Sequence, residues 1–142
     1  MGTKVKVVLD TNVWVSIFLQ KILADEFSRA NKNLTVYISE EIILEISKVL
    51  LYPKIAKILR KANINEKEIL EAIKEKSILV KPKVKLNIIE EDVEDNKILE
   101  CAEAAGAVFV VSGDKHLLKL GTFRKTRVLS PREFLDYITK LN

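Results

Sequence analysis

The run Lys4-Val5-Lys6-Val7-Val8-Leu9 turns wholly apolar before it stops at Asp10-Thr11-Asn12, the pattern of a buried strand that delivers a polar residue to its carboxyl end. Residues 13–30 carry Ile17, Phe18, Ile22, Leu23 and Phe27 at helical spacing, and the Asn-rich stretch 31–33 ends that helix before a second strand over 35–38. Ser39 followed by Glu40 and Glu41 reads as an N-cap with acids in the first turn. The helix it opens keeps Ile42, Ile43, Ile46, Val49 and Leu50 on one side until Pro53, with Glu45 inside it.

Two further helices are expected over 54–62 and 66–76, parted by Asn63-Ile64-Asn65, with Asn65 and Glu68 as a cap pair. They make an α-hairpin that could project from the domain. Residues 77–80 form a short third strand, and 81–91 lack any period and read as a loop. Ile98, Leu99, Ala102 and Ala105 then mark a helix over 93–105, closed by Gly106 where a left-handed stop is wanted. The stretch 107–111 is apolar throughout, as in a strand covered on both faces, and ends in Ser112-Gly113-Asp114. A short helical turn over 116–120, a strand over 127–129 and a final helix over 131–141, opened by the capping box Ser130-Pro131-Arg132-Glu133, complete the chain.

Strands alternating with helices specify an α/β fold, a central and mainly parallel sheet of about five strands sandwiched by helices. In such sheets ligands bind beyond the carboxyl ends of the strands. Asp10 and Asp114 both follow strands directly and are expected at that rim. Asp95 opens the helix leading into the Asp114 strand, and Glu45 can reach the rim from the first turns of its own helix. Carboxylates held a few ångströms apart push one another toward protonation unless a cation neutralises them. Mg²⁺ or Mn²⁺ suits oxygen ligands of this kind. Each acid has a plainer role as well: Asp10 and Asp114 as helix N-caps, Asp95 as a first-turn acid favoured by the helix dipole, Glu45 as a solvated helix residue.

Composition narrows the rest. The 142 residues suit a single domain, 1–142, and 48% hydrophobic with 31% charged residues suits a packed globule. A lone cysteine, Cys101, excludes an internal disulfide, leaves no Cys/His zinc set, and sits among alanines as a packing residue. The basic opening of residues 1–8 is too short for a signal peptide and no stretch reaches membrane-span length, so a soluble, cytoplasmic protein is expected. A net charge of +4, spread along the chain, permits a nucleic-acid partner without requiring one. The single His116 has no evident partner for acid–base work, and Trp14 with Phe18 reads as core or as a subunit interface.

Val7-Val8-Leu9-Asp10-Thr11-Asn12-Val13 resembles the opening motif of PIN domains, and Asp95 to Ala102 resembles that family's later helix. Val110 to Leu118 is similar to the strand and turn bearing the family's late Asp, and Ser39 to Glu45 to the segment supplying its helical Glu. The resemblance implies a metal-dependent ribonuclease with Asp10, Glu45, Asp95 and Asp114 as its acidic quartet, holding one or two Mg²⁺ or Mn²⁺ ions. It also implies Thr11, Asn12 and Ser112 as polar supports. Asp92 is an auxiliary acid that could replace or assist Asp95. Lys115 is the nearest phosphate-binding candidate, and Lys115, His116 and Leu117 stand where some members carry another acid, which implies a weaker second metal site. Many relatives are toxins restrained by an antitoxin, so an RNA substrate, an antitoxin and a homodimer are the expected partners. The alternatives are a catalytically weak RNA- or protein-binding module, and an α/β phosphotransfer domain in which Asp10 is phosphorylated. The second leaves Glu45 unexplained and lacks the expected second Asp at Asn12.

Overall fold

The computed structural model describes residues 4–141, without the side chains of Lys21, Ile22, Asn31 and Leu141, so the place of Ile22 in the helical pattern and the first three residues of the opening segment lie outside what is described. β1 (Val5–Leu9) leads into α1 (Thr11–Leu19) and α2 (Lys21–Ala30), and β2 (Leu34–Ile38) into α3 (Glu40–Leu50), α4 (Pro53–Lys61) and α5 (Glu66–Lys76). After β3 (Ile78–Leu79) and a long irregular segment come α6 (Asp95–Ala105), β4 (Phe109–Val111), α7 (Lys115–Leu120), β5 (Thr122–Phe123), β6 (Thr126–Leu129) and α8 (Pro131–Leu141).

The strands form one sheet in the order β3-β2-β1-β4-β6-β5, parallel except for β5, which pairs antiparallel with β6. About five strands were expected from the sequence; the sixth, β5, is two residues long and turns back through Arg124 at φ 55°, too short to leave a periodic signal. Chain order reverses between β1 and β4. From β1 the chain crosses to β2 on one side, whereas β4, its other neighbour, arrives from the far end of the sequence, and such a switch point opens a crevice beyond the strand ends.

The helix expected over 13–30 is broken in two. Gln20 leaves helical geometry at φ −117°, ψ 112° while its N–H still caps Ser16. A straight 18-residue helix would run about 27 Å, far past a five-residue strand of about 17 Å; the break lets α2 turn and pack against α1 and α8. No Gly or Pro marks this joint, so the apolar periodicity ran through it. Val7, Val8, Leu9, Val110 and Val111 are buried at the centre of the sheet, with Trp14 and Phe27 meeting edge to face at 6.0 Å in the same core. The α4–α5 hairpin is tied down more firmly than an outlying arm would be: Leu59, Ile69 and Ile73 are buried in that core.

Candidate active site

Asp10 and the Ser112-Gly113-Asp114 turn flank the switch point. The Asp10 N–H donates to the Val111 carbonyl at 2.9 Å, carrying the β1–β4 pairing one residue past the strands. Asp10 is also the N-cap of α1, its Oδ1 accepting from Thr11 N–H at 2.7 Å, and Oδ2 accepts the Ser112 hydroxyl at 2.6 Å. Asp114 caps α7 through the His116 and Leu117 amides, at 2.8 and 3.3 Å. The capping role and the place at the rim therefore coincide in both acids.

Asp95 is different. It is the first residue of α6, only 7% exposed, and it caps nothing; its Oδ2 is buried and meets no donor among the described residues. What its carboxyl meets is Asp114, and Asp92, Asp95 and Asp114 bring ligand oxygens within 4.8 Å of one another. Asp92, an auxiliary candidate in the sequence, thus stands beside Asp95 in this group. A short segment holds it there. Asn96 is buried, its Oδ1 accepting from Ile88 and Ile89 N–H at 2.9 Å each and its Nδ2 donating to the Ile89 and Val93 carbonyls, so the loop leading to Asp92 is clamped onto α6.

These acids open into a cavity of about 950 Å³ that Asp10, Asn12, Glu45, Asp92, Asp95, Asp114 and Lys115 all line. Glu45 and Asn12 thus share the cleft, outside the tight three-acid group. Thr11 and Ser112 are buried behind it; Ser112 Oγ accepts the Asp114 N–H at 2.9 Å while donating to Asp10, and Thr11 Oγ1 has no partner among the described residues. His116 contributes its backbone amide to Asp114 and is not part of the cavity lining. Glu41, read from the sequence only as a first-turn acid, also lines the cleft, as do Lys48, Tyr52, Glu94 and Lys97, each of which reads in the sequence as an ordinary solvated residue.

The electrostatics follow from this crowding. Burial, and then the bond to Asp114 and the charges of Asp114, Asp92 and Asp10, raise Asp95 from 3.8 to about 8. Asp10 is raised by burial, against the opposing bonds from Ser112 and Thr11, with Glu45 and Asp114 adding repulsion. Burial pushes Asp114 up as well, but the proton shared from Asp95 and the His116 and Leu117 amides outweigh it and hold it below its usual value. A carboxylate pair sharing one proton is a place where a cation can replace that proton. Hard oxygen donors, an unpartnered buried Oδ2 and the absence of Cys or His from the cluster fit Mg²⁺ or Mn²⁺ better than zinc. Cys101 is buried elsewhere, its thiol pushed up to about 12 by burial, as suits a packing residue.

Among the described residues no helix is long and apolar enough to cross a membrane. The chain is 32% identical over 151 residues to Uncharacterized protein MJ1680 of Methanocaldococcus jannaschii, an alignment taking in 96% of this chain and 94% of that one. Its fold is similar to a chain in the crystal structure of VapBC2 from Rickettsia felis bound to a DNA fragment from their promoter, with a TM-score of 0.58 and 16% identity over 88% of this chain and 98% of that chain. The sequence profile of the PIN domain matches residues 6–116, from β1 through the turn that carries Asp114, and the chain belongs to the PIN-domain family.

Proposed function

We propose that the chain, acting as one domain, is a cytoplasmic, divalent-metal-dependent endoribonuclease whose acidic residues are Asp10, Glu45, Asp95 and Asp114, with Asp92 beside them. The observation that carries this reading is the buried, unpartnered Asp95 Oδ2 within a group of three carboxylates at the switch point of a parallel sheet. Asp92, Asp95 and Asp114 are the primary ligands, and Asp10 and Glu45 complete the shell from β1 and α3. A bound Mg²⁺ or Mn²⁺ supplies a water activated for attack and neutralises charge developing on the phosphate. Ser112 and the Thr11 amide each hold one oxygen of the Asp10 carboxylate and so orient it at the rim of the cleft. Lys48, Lys97 and Lys115 stand on the cleft wall, where they offset the charge of a phosphate chain that acids alone would repel.

The likeness to the VapBC2 complex supports a toxin restrained by a small antitoxin, and a homodimer is proposed with exposed apolar residues such as Leu51, after α3, and Ile58, in α4, as candidates for its interface. The nuclease reading is tested by incubating wild type and Asp10→Asn with single-stranded and structured RNAs in Mn²⁺, in Mg²⁺ and in chelator. Cleavage that needs metal and is absent from Asp10→Asn supports it; a folded wild type that cuts none of the panel sinks it in favour of a binding module, and a mutant that cuts equally well sinks the proposed site and points to a contaminating nuclease.

A further inference from the structure

Along α3 the wall of the cleft changes character. Glu41, Glu45, Lys48 and Tyr52 all line it and follow one another at spacings of three and four residues, which places them on one helix face. At about 1.5 Å of rise per residue, Lys48 lies about 4.5 Å and Tyr52 about 10 Å beyond Glu45 along the axis. Leu51 keeps right-handed helical geometry and the Tyr52 N–H bonds the Val49 carbonyl at 3.0 Å, so the stripe continues past the last residue of the helix. From the metal-binding acids outward, the wall thus presents a carboxylate, a cation and an aromatic ring in turn.

Tyr52 is 56% exposed, with Leu44 and Val49 as its apolar companions in the cleft. Among the described residues none hydrogen-bonds its hydroxyl or stacks on its ring. The backbone beneath it is nonetheless fixed. Pro53 restricts it to extended geometry (φ −58°, ψ 135°), and its carbonyl accepts from Ala56 at 2.8 Å to begin α4. A ring on a rigid mount, left in water beside a cavity of about 950 Å³, has its apolar faces free. That volume lies within the range of pockets that take organic ligands and far exceeds what a cation needs.

We infer that Lys48 and Tyr52 form a nucleotide-binding wall: Lys48 holds the phosphate next to the scissile one, and Tyr52 stacks on an unpaired base. The substrate is then single-stranded where it is cut, because a base inside a duplex has no free face to offer the ring. The inference rests on the ribonuclease reading and adds to it a polarity, with chemistry at the Glu45 end of α3 and base binding at the Pro53 end.

The test uses the full chain carrying Asp10→Asn, so that turnover does not consume the probe, and reads fluorescence anisotropy of a labelled oligouridylate, alone and annealed to oligoadenylate, in Mn²⁺. Tyr52→Ala is expected to weaken single-strand binding on the order of tenfold and leave duplex binding unchanged, while Tyr52→Phe restores it, since stacking uses the ring and not the hydroxyl. Lys48→Ala is expected to weaken binding and to flatten the dependence of log affinity on log salt by about 0.7. Unchanged single-strand affinity in Tyr52→Ala overturns the inference and leaves the ring to a protein partner, and equal losses for strand and duplex overturn it by showing that the ring meets the RNA without stacking on an unpaired base. Cleavage by the same variants without Asp10→Asn separates the two readings. A chain that cuts RNA while Tyr52→Ala binds normally loses the stacking wall alone, and a chain that binds through Tyr52 without ever cutting loses the nuclease reading alone.

Discussion

The Ser112 hydroxyl donates to Asp10 Oδ2 at 2.6 Å and accepts the Asp114 amide at 2.9 Å, so a single side-chain oxygen joins the ends of β1 and β4 across 102 positions of sequence. Removing it leaves a buried carboxylate oxygen without its donor and a backbone N–H without its acceptor. Ser112→Ala is therefore expected to lower stability by about 1–3 kcal/mol and to weaken Mn²⁺ binding by roughly 10–100-fold. Urea unfolding and a Mn²⁺ titration followed by thermal shift would check the two effects separately.

Asp95→Asn replaces a buried acid whose Oδ2 meets no donor among the described residues and whose negative charge is crowded by two other carboxylates. In the metal-free protein the variant is expected to melt at a higher temperature than wild type, because the crowding of Asp95 against Asp114 and Asp92 disappears. Its cleavage and its stabilisation by Mn²⁺ are both expected to be lost. A melting temperature that falls instead would show that the proton Asp95 shares with Asp114 stabilises the fold more than the crowding of the three acids costs it.

The pH dependence has a defined sign. Asp95 binds its proton more tightly folded, at about 8, than unfolded, near 3.8, so the folded protein keeps a proton that the unfolded chain releases. For this group, metal-free stability is fully present below about pH 4 and declines as pH rises toward 8. A divalent cation takes the place of that proton, so the added stability from Mn²⁺ is expected to grow across the same window. Melting curves from pH 5 to about 8, with Mn²⁺ and with chelator, should diverge as pH rises; curves that stay parallel would exclude Asp95 as a ligand.

Asn96 makes four hydrogen bonds to the backbone of the segment preceding α6. Asn96→Ala strips partners from the buried Ile89 N–H and carbonyl and from the part-buried Ile88 and Val93 groups, at an expected cost of about 3 kcal/mol, and frees the segment that carries Asp92. Faster hydrogen exchange at Ile88 and Ile89, with weaker Mn²⁺ binding at temperatures where the rest stays folded, would be the signature.

Gly106 ends α6 at φ 65°, and nothing lies within 4 Å of where a Cβ would sit. Gly106→Ala is thus expected to cost about 1 kcal/mol through backbone conformation alone. It should leave metal affinity unchanged, since Gly106 lies at the opposite end of α6 from Asp95. A larger loss by denaturant unfolding would point to a steric clash that this geometry does not contain.

What the sequence made legible were the features that leave local signals. Apolar runs ending in Asp10 and in Ser112-Gly113-Asp114 located two strand ends, Ser39 and Asn65 marked helix starts where the caps are found, and Gly106 marked a helix end. Less legible was whatever depends on contacts between segments. The break at Gln20 has no breaker residue, β5 is two residues long, and Asp92 reaches Asp95 only because Asn96 folds an aperiodic loop back onto its helix. Lys48 and Tyr52 escaped notice for a related reason: exposure on a helix looks the same in sequence whether the side chain faces open solvent or a cleft.

Asp10 and Asp114 each serve a helix as well as the cleft, and that double duty bears on how the site can decay. If the chain is the nuclease proposed, a descendant that abandoned catalysis would still be selected to keep both residues, since losing either one unseats the start of a helix. Their presence in a related chain is then poor evidence that the relative is active. Asp95, which caps nothing and is a burden to the metal-free fold, has no such second employment. If the chain is the nuclease proposed, Asp95 would be free to drift once cleavage ceased to matter where Asp10 and Asp114 would not, and its retention or loss would help tell working relatives from retired ones.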